Sequence, residues 1–310
     1  MGIVLEVNHL SKKFNDVSAV DDLSFTVNES DIYGFLGQNG AGKSTTIRML
    51  LTLIKPTAGE IKIFGKDLAA NRNEILRQTG AIIERPDLYK YLSAYDNLAI
   101  FAKMSGIKVT RKLIMDRLDM VGLADRSKSK AKTYSQGMKQ RLGIAIALVH
   151  DPKLIILDEP TNGLDPQGIA DMRNLILQLS REMGKTVIVS SHLLSEIEII
   201  ANRMIIIHKG KKVSEGNVAD LLDPSHTVVL LETTNNEIAA TNLKEWGYQI
   251  SSRTTGNFLQ VDINKNKIPE LVTKLSGLGI GIITLQPRHS LEDYFLSLTN
   301  NESNVEPFAN

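Results

Sequence analysis

The segment Gly37-Gln38-Asn39-Gly40-Ala41-Gly42-Lys43-Ser44 constrains this chain more than any other. An apolar run, Ile32–Leu36, enters it, and a helical pattern, Thr45–Leu53, leaves it. The glycines let the backbone turn where side chains would block it. A buried strand that turns directly into a helix needs neighbouring strands and a helical layer over them. Such a turn also aims successive N–H groups and a helix N-terminus at one point, which makes a cradle for an anion. The pattern G-x-x-x-x-G-K-[ST] between strand and helix therefore reads as a phosphate-binding loop. Gly37, Asn39, Gly40, Gly42 and Thr45 line it. Lys43 is positioned to reach the β- and γ-phosphates of a nucleotide, and the Ser44 hydroxyl to ligate Mg²⁺.

The rest of residues 1–222 alternates strands and helices. Ile3–Val7 and Leu23–Val27 alternate as half-buried strands, and Ile61–Phe64 is another strand ended by Gly65. Leu154–Leu157, Thr186–Ser190 and Met204–Ile207 are apolar runs suited to a sheet covered on both faces. Residues 84–150 differ, with helical periods over Tyr95–Met104, Arg111–Val121 and Gln136–Val149. They read as a helical subdomain inserted into the core.

Asp158 and Glu159 close the strand Leu154–Leu157. A carboxylate there holds Mg²⁺, and the next one polarises an attacking water. Asp158 is assigned to the metal and Glu159 to the general base. Either acid alone could be an ordinary strand end; the phosphate loop in the same chain favours the catalytic reading.

Between these motifs stands Tyr134-Ser135-Gln136-Gly137-Met138-Lys139-Gln140-Arg141. This segment, with the loop and acids around it, resembles the signature region of ATP-binding-cassette (ABC) nucleotide-binding domains, and the resemblance covers residues 1–222. It implies an α/β P-loop NTPase with a RecA-like core and a helical subdomain, acting as an ATPase with ATP and Mg²⁺. It also implies a head-to-tail homodimer, in which Ser135 and Gly137 meet the γ-phosphate bound by the opposite chain. Gln136 and Met138 depart from the family's Leu-Ser-Gly-Gly-Gln pattern. By the same resemblance, Phe14 stacks on adenine, Asp165 in Pro160-Thr161-Asn162-Gly163-Leu164-Asp165 sits at the dimer seam, and His192 hydrogen-bonds the γ-phosphate. Glu84 occupies the place of a glutamine that touches Mg²⁺ and the attacking water and links the site to the membrane partner. Glu84 together with the altered signature resembles the bacitracin-resistance and lantibiotic-immunity exporters, and so does Ser290-Leu291-Glu292-Asp293-Tyr294-Phe295.

The C-terminal part, 225–299, has a βαββαβ order that reads as a ferredoxin-like α+β domain. It follows a boundary at Asp223-Pro224-Ser225 and ends with a helix, Leu291–Leu298, and a disordered tail, 300–310. Composition excludes several classes. Net charge is +1 and cysteine is absent, so nucleic-acid partners, disulfides and thiolate metal sites are not expected. No signal-peptide core is seen, and no apolar run reaches the roughly 20 residues a spanning helix needs. A role at a membrane then requires a partner to hold the chain there, and the resemblance implies that this partner is a set of separate integral membrane permease subunits. They would hold the chain at the cytoplasmic face, and the exported substrate would not bind it directly. Two alternatives remain open: an ATPase of a generic drug, lipid or polysaccharide exporter, and a non-catalytic ATP-gated regulatory module.

Overall fold

The computed structural model describes residues 2–221, 227–251 and 258–288. The chain divides into two compact units, Met1–Val218 and a second from Ala219 onward. The first unit opens with β1 (Ile3–Phe14), β2 (Val17–Asn28), β3 (Ile32–Leu36) and α1 (Lys43–Leu50). Then come β4 (Ala58–Ile63), β5 (Lys66–Asp67), α2 (Arg72–Leu76) and β6 (Thr79–Ile82). Three helices follow: α3 (Ala94–Met104), α4 (Arg111–Met120) and α5 (Gln136–Ala147). The unit closes with β7 (Leu154–Asp158), α6 (Pro166–Arg181), β8 (Thr186–Ser191), α7 (Leu194–Ile200), β9 (Arg203–His208) and β10 (Lys211–Asn217).

These strands build two sheets. One is antiparallel, in the order β2-β1-β4-β5. The other runs β10-β9-β3-β8-β7-β6 and is parallel apart from β10 on β9. β3, β7 and β8 are buried along their whole length, as apolar runs covered on both faces must be. The core joins Leu5, Leu10 and Phe25 of the antiparallel sheet to Ile156, Ile188 and Ile205 of the parallel one, with Ile47 and Leu50 of α1 among them. The helix carrying the glycine loop is thus anchored in the main core.

Helix starts follow their caps. Ser93, Thr110, Ser135 and Asp165 each accept a hydrogen bond from the backbone three residues on. Some bounds differ from the sequence reading. α1 starts at Lys43 instead of Thr45 because Gly42, at φ 105°, is its N-cap. It ends before Leu53, where Thr52 turns to φ 57°. β1 and β2 are longer than Ile3–Val7 and Leu23–Val27. Their hairpin keeps pairing through polar residues, ending with Lys13 opposite Ser18 and Phe14 opposite Val17. Such pairs carry no apolar alternation to announce them.

The second unit contains α8 (Val218–Leu221, shared with the end of the first), β11 (Thr227–Thr233), α9 (Asn236–Glu245), β12 (Gln249–Ser251), β13 (Leu259–Ile263), α10 (Ile268–Gly277) and β14 (Ile282–Arg288). Its sheet is antiparallel in the order β12-β13-β11-β14, consistent with a ferredoxin-like arrangement. Val229, Leu231, Leu243, Val261 and Leu271 form its own core. The expected boundary at Asp223-Pro224-Ser225, the last helix and the tail lie outside the described residues. Among the described residues, no helix is long and apolar enough to cross a membrane.

Candidate functional site

Three neighbouring parallel strands end together, and open α/β sheets bind ligands beyond such carboxyl ends. Leu36 of β3 pairs with Ser191 of β8, and Asp158 of β7 pairs with Ser190 of β8. Loop 37–44, Asp158-Glu159 and Ser190-Ser191-His192 therefore emerge side by side. The Gly37 N–H donates to the Ser191 carbonyl at 3.3 Å, which ties the loop to β8. A Cβ on Gly42 would lie 2.6 Å from the Ala19 carbonyl, so the close turn needs glycine as well as its positive φ.

Lys43 is 4% exposed and folds back over its own loop. Its Nζ donates to the carbonyls of Gly37 (2.7 Å) and Gln38 (3.3 Å). The same Nζ stands 3.2 Å from Glu159 Oε1. Glu159 Oε2 in turn lies 3.2 Å from His192 Nδ1. Asn39 and Gly40 stand exposed on the loop rim, and Ser44 and Thr45 are half-buried in the first turn of α1.

Glu159 sits at φ 47°, a region non-glycine residues seldom occupy. Its N–H donates to Ser190 Oγ at 2.9 Å, and its Oε2 accepts from Asn162 Nδ2 at 3.3 Å. Asp158 is 1% exposed. Ser190 Oγ donates to Asp158 Oδ1 at 2.5 Å, whereas Oδ2 is buried without a partner. An orphaned carboxylate oxygen is costly unless something else satisfies it. A hard divalent cation does so, and the donor set fits one. Among the described residues there is no cluster of three or more metal-binding side chains. A cation here would take its other ligands from bound phosphate and water, which is how Mg²⁺ is usually held.

The remaining candidates stand apart from this cluster. No hydrogen bond or ion pair joins Phe14, Ser135, Gly137, Asp165 or Glu84 to Lys43, Glu159 or His192. Phe14 is 47% exposed, and Lys12 Nζ lies 4.9 Å from its ring centre. Ser135 is exposed and caps α5, accepting from the Met138 N–H at 3.2 Å. Gly137 follows in the first turn of that helix. Tyr134 is buried, its hydroxyl donates to the Arg126 carbonyl at 2.7 Å, and burial pushes its phenol up. Asp165 caps α6 through the Gly168 N–H at 3.1 Å. Glu84, just after β6 at φ 56°, takes Arg48 Nη2 of α1 at 2.5 Å, and its side chain is 63% exposed.

Sequence reasoning did not reach several supporting residues: Ser190, Asn162, Arg48 and Glu196. Glu196 Oε2 accepts from Thr161 Oγ and from Ser191 Oγ, both at 2.7 Å. It thereby ties the segment after Glu159 to the segment before His192. The triplet Ser190-Ser191-His192 was the available signal, but strand pairing decides what its serines touch.

A glycine loop closed over a buried lysine, with paired acids on the next strand but one, defines a P-loop nucleotidase. The family model described as ABC transporter matches residues 20–162. A second, described as AAA domain, putative AbiEii toxin, Type IV TA system, matches residues 129–198. An uncharacterized ABC transporter ATP-binding protein YhcH of Bacillus subtilis is 43% identical over 96% of this chain and 97% of its own length. The bacitracin transport ATP-binding protein BcrA of Bacillus licheniformis is 51% identical over 69% of this chain and 70% of its own. The lantibiotic transport ATP-binding protein SrtF of Streptococcus pyogenes is 42% identical over 68% and 90%. Among solved structures, the ATP-binding cassette MJ0796, in a dimeric post-hydrolysis state bound to ADP and Pi, superposes with a TM-score of 0.63. It is 25% identical and covers 69% of this chain and 98% of its own. The chain belongs to the ATP-binding proteins of ABC transporters, a family of nucleotide-binding ATPases.

Proposed function

We propose that this chain is the ATP-hydrolysing subunit of an exporter that removes peptide antibiotics of the bacitracin or lantibiotic type. The Lys43–Glu159–His192 cluster at the strand ends carries the hydrolytic part. BcrA and SrtF, named for bacitracin and lantibiotic transport, support the substrate class. Two chains would sandwich two ATP molecules head to tail. Each site would combine the 37–44 loop of one chain with Ser135 and Gly137 of the other, and Asp165 would lie at the seam. The exposed Ser135, free of its own chain's Lys43, supports this, as does the dimeric state of MJ0796. Integral membrane permease subunits would hold the pair at the cytoplasmic face and carry the peptide.

The site's present bonds suggest the order of events. Lys43 spends its donors on two loop carbonyls and on Glu159. A triphosphate entering the loop offers Lys43 stronger, charged acceptors. Exchange of partners releases the Glu159 carboxylate to take a proton from the attacking water. His192, 3.2 Å from Glu159 and lacking hydrogen-bond alignment, is free to turn to the γ-phosphate. Ser44 and Asp158 would hold Mg²⁺, with Glu84 as a further ligand after leaving Arg48. The ion would supply charge neutralisation at the β- and γ-oxygens.

The test is paired. The purified chain should hydrolyse MgATP, and loss of its gene should lower its host's tolerance of bacitracin or a lantibiotic. Tolerance should return with the parent gene and stay low with Glu159→Gln. Unchanged tolerance to both peptide classes would exclude the substrate assignment while leaving the ATPase standing.

Two substitutions separate individual roles. Phe14→Ala should weaken ATP binding about fivefold, since a ring stack is worth about 1 kcal/mol, with kcat held within about twofold. Equilibrium binding of ATP and of a pyrimidine triphosphate checks it, because an equal loss for both would disprove adenine stacking. Glu84→Gln should change antibiotic tolerance per ATP hydrolysed more than it changes ATP affinity. Removing its charge also breaks the Arg48 pair, a solvent-exposed contact whose own stability contribution is small. Equal tolerance and equal ATPase in mutant and parent would leave Glu84 without a special role.

A further inference from the structure

We propose that Gln136 is a positioning residue for the hydrolytic carboxylate of its own chain, acting through Asn162. This rests on Glu159 being the base. Gln136 stands at the first position of α5, one residue after Ser135. Its Nε2 donates to the backbone carbonyl of Asn162 at 3.1 Å. The side chain of Asn162 then donates through Nδ2 to Glu159 Oε2 at 3.3 Å. Both amide orientations follow from chemistry. A carbonyl and a carboxylate only accept, so each must face an NH₂ group.

The loop between Gln136 and Glu159 is shaped to this contact. Gly163 follows Asn162 at φ 75°, and a Cβ there would lie 2.6 Å from Gln136 Nε2. The left-handed backbone favours glycine here, and a side chain at this position would push the Gln136 amide aside. On its other flank the loop is held by Thr161 Oγ, which donates to Glu196 Oε2 at 2.7 Å. Segment 160–163 is thus gripped from α5 on one side and α7 on the other, which leaves the Asn162 amide on the carboxylate. The last link, at 3.3 Å, is long for a bond to a charged acceptor, so a small shift of the loop breaks it. In a head-to-tail pair, Ser135 and Gly137 face the nucleotide of the opposite chain. Gln136 lies between them, and any displacement they undergo on closure passes through one amide to the base of the other site. The path is a bonded chain of three residues with a defined donor at each step.

The experiment uses the full chain and MgATP. Gln136→Met keeps the length of the side chain and removes the donor. Gln136→Glu keeps the shape and turns an acceptor toward a carbonyl. Asn162→Ala removes the second link. Each should lower kcat about tenfold with KM for ATP within about twofold, the pattern of a misplaced reacting group. The double variant Gln136→Met with Asn162→Ala should be no slower than the slower single, because the two act in series. In a Glu159→Gln background, Gln136→Met should have no further effect. A parent-like kcat in Gln136→Met, or a hundredfold additive loss in the double variant, overturns the proposal. So does a loss expressed mainly in KM. Activity retained by Glu159→Gln alone would instead remove the reading on which the proposal rests. Circular dichroism and the melting midpoint identify a variant that fails to fold, and Gln136→Met and Gln136→Glu then substitute for each other.

Discussion

Glu159→Gln is expected to lower kcat for ATP hydrolysis by about two to three orders of magnitude, the range of a lost general base, while ATP-driven self-association persists. The amide keeps the size of the carboxylate, and Asn162 and His192 retain a neighbour of the same shape. What disappears is the proposed proton acceptor and the anion that competes for Lys43. In the parent, Lys43 Nζ lies 3.2 Å from Glu159 Oε1, in a pair 4% and 20% exposed. A triphosphate must displace that pair before Lys43 can serve it. With glutamine the competitor is neutral and the repulsion between carboxylate and γ-phosphate is gone. ATP affinity should therefore equal or exceed that of the parent. Steady-state phosphate release, equilibrium ATP binding and sedimentation with and without MgATP measure the three quantities. Full turnover in the variant would mean that the base is elsewhere. Weakened ATP binding would mean that the Lys43 contact is no barrier to the nucleotide.

The parts of this site legible in the sequence are those whose chemistry is local. The glycine loop, its lysine and the strand-end acids declare themselves because each sits where an apolar run stops and a turn begins. The structure places Lys43 and His192 each within ion-pair distance of Glu159. The parts that stayed hidden depend on which strands lie side by side. Ser190 bonds Asp158 only because β7 and β8 are parallel neighbours in that register. Parallel pairs are made through crossovers, so no short window holds both partners. Arg48 and Glu84 also meet only in the folded chain, one on α1 and the other beyond β6. The departures in the signature show a second limit. Tyr134 reads as a missing leucine, yet its ring is buried as a leucine would be, and its hydroxyl finds the Arg126 carbonyl. Gln136 reads as a missing glycine, and the loop that receives its amide is separated from it by all of β7.

Arg203→Met is expected to cost about 3 kcal/mol of stability, the low end for removing one partner of a buried ion pair. Arg203 on β9 donates from Nη1 to Asp31 Oδ2 at 3.2 Å and to the Thr26 carbonyl at 3.1 Å. Its Nη2 lies 3.7 Å from Glu215 Oε1. Glu215 on β10 also accepts from the Tyr33 hydroxyl at 2.9 Å and the Thr26 N–H at 3.3 Å. These bonds join β2 of the antiparallel sheet to β3, β9 and β10 of the parallel one. Asp31 and Glu215 have side chains only 3% and 14% exposed. Without the guanidinium, Glu215 keeps Lys212 Nζ at 3.0 Å, whereas the more deeply buried Asp31 keeps only neutral donors, the Asn28 N–H and Asn202 Nδ2. The Tyr33 phenol stays protonated, since burial and the adjacent Glu215 push its pKa well up, so it goes on donating to Glu215 as a neutral group. A loss of 3 kcal/mol corresponds to a melting midpoint lower by about 6–12 °C for a unit of this size. Tyr33→Phe removes one hydrogen bond to a charged acceptor and should cost about 1.5 kcal/mol. Replacing Asp31 by Asn together with Arg203→Met should recover part of the arginine loss, because the double variant no longer buries an unpaired charge there. Thermal and urea unfolding followed on all three variants decide the point. A midpoint within about 2 °C of the parent for Arg203→Met would mean that the sheets are held by apolar packing alone and that the ion pair is dispensable.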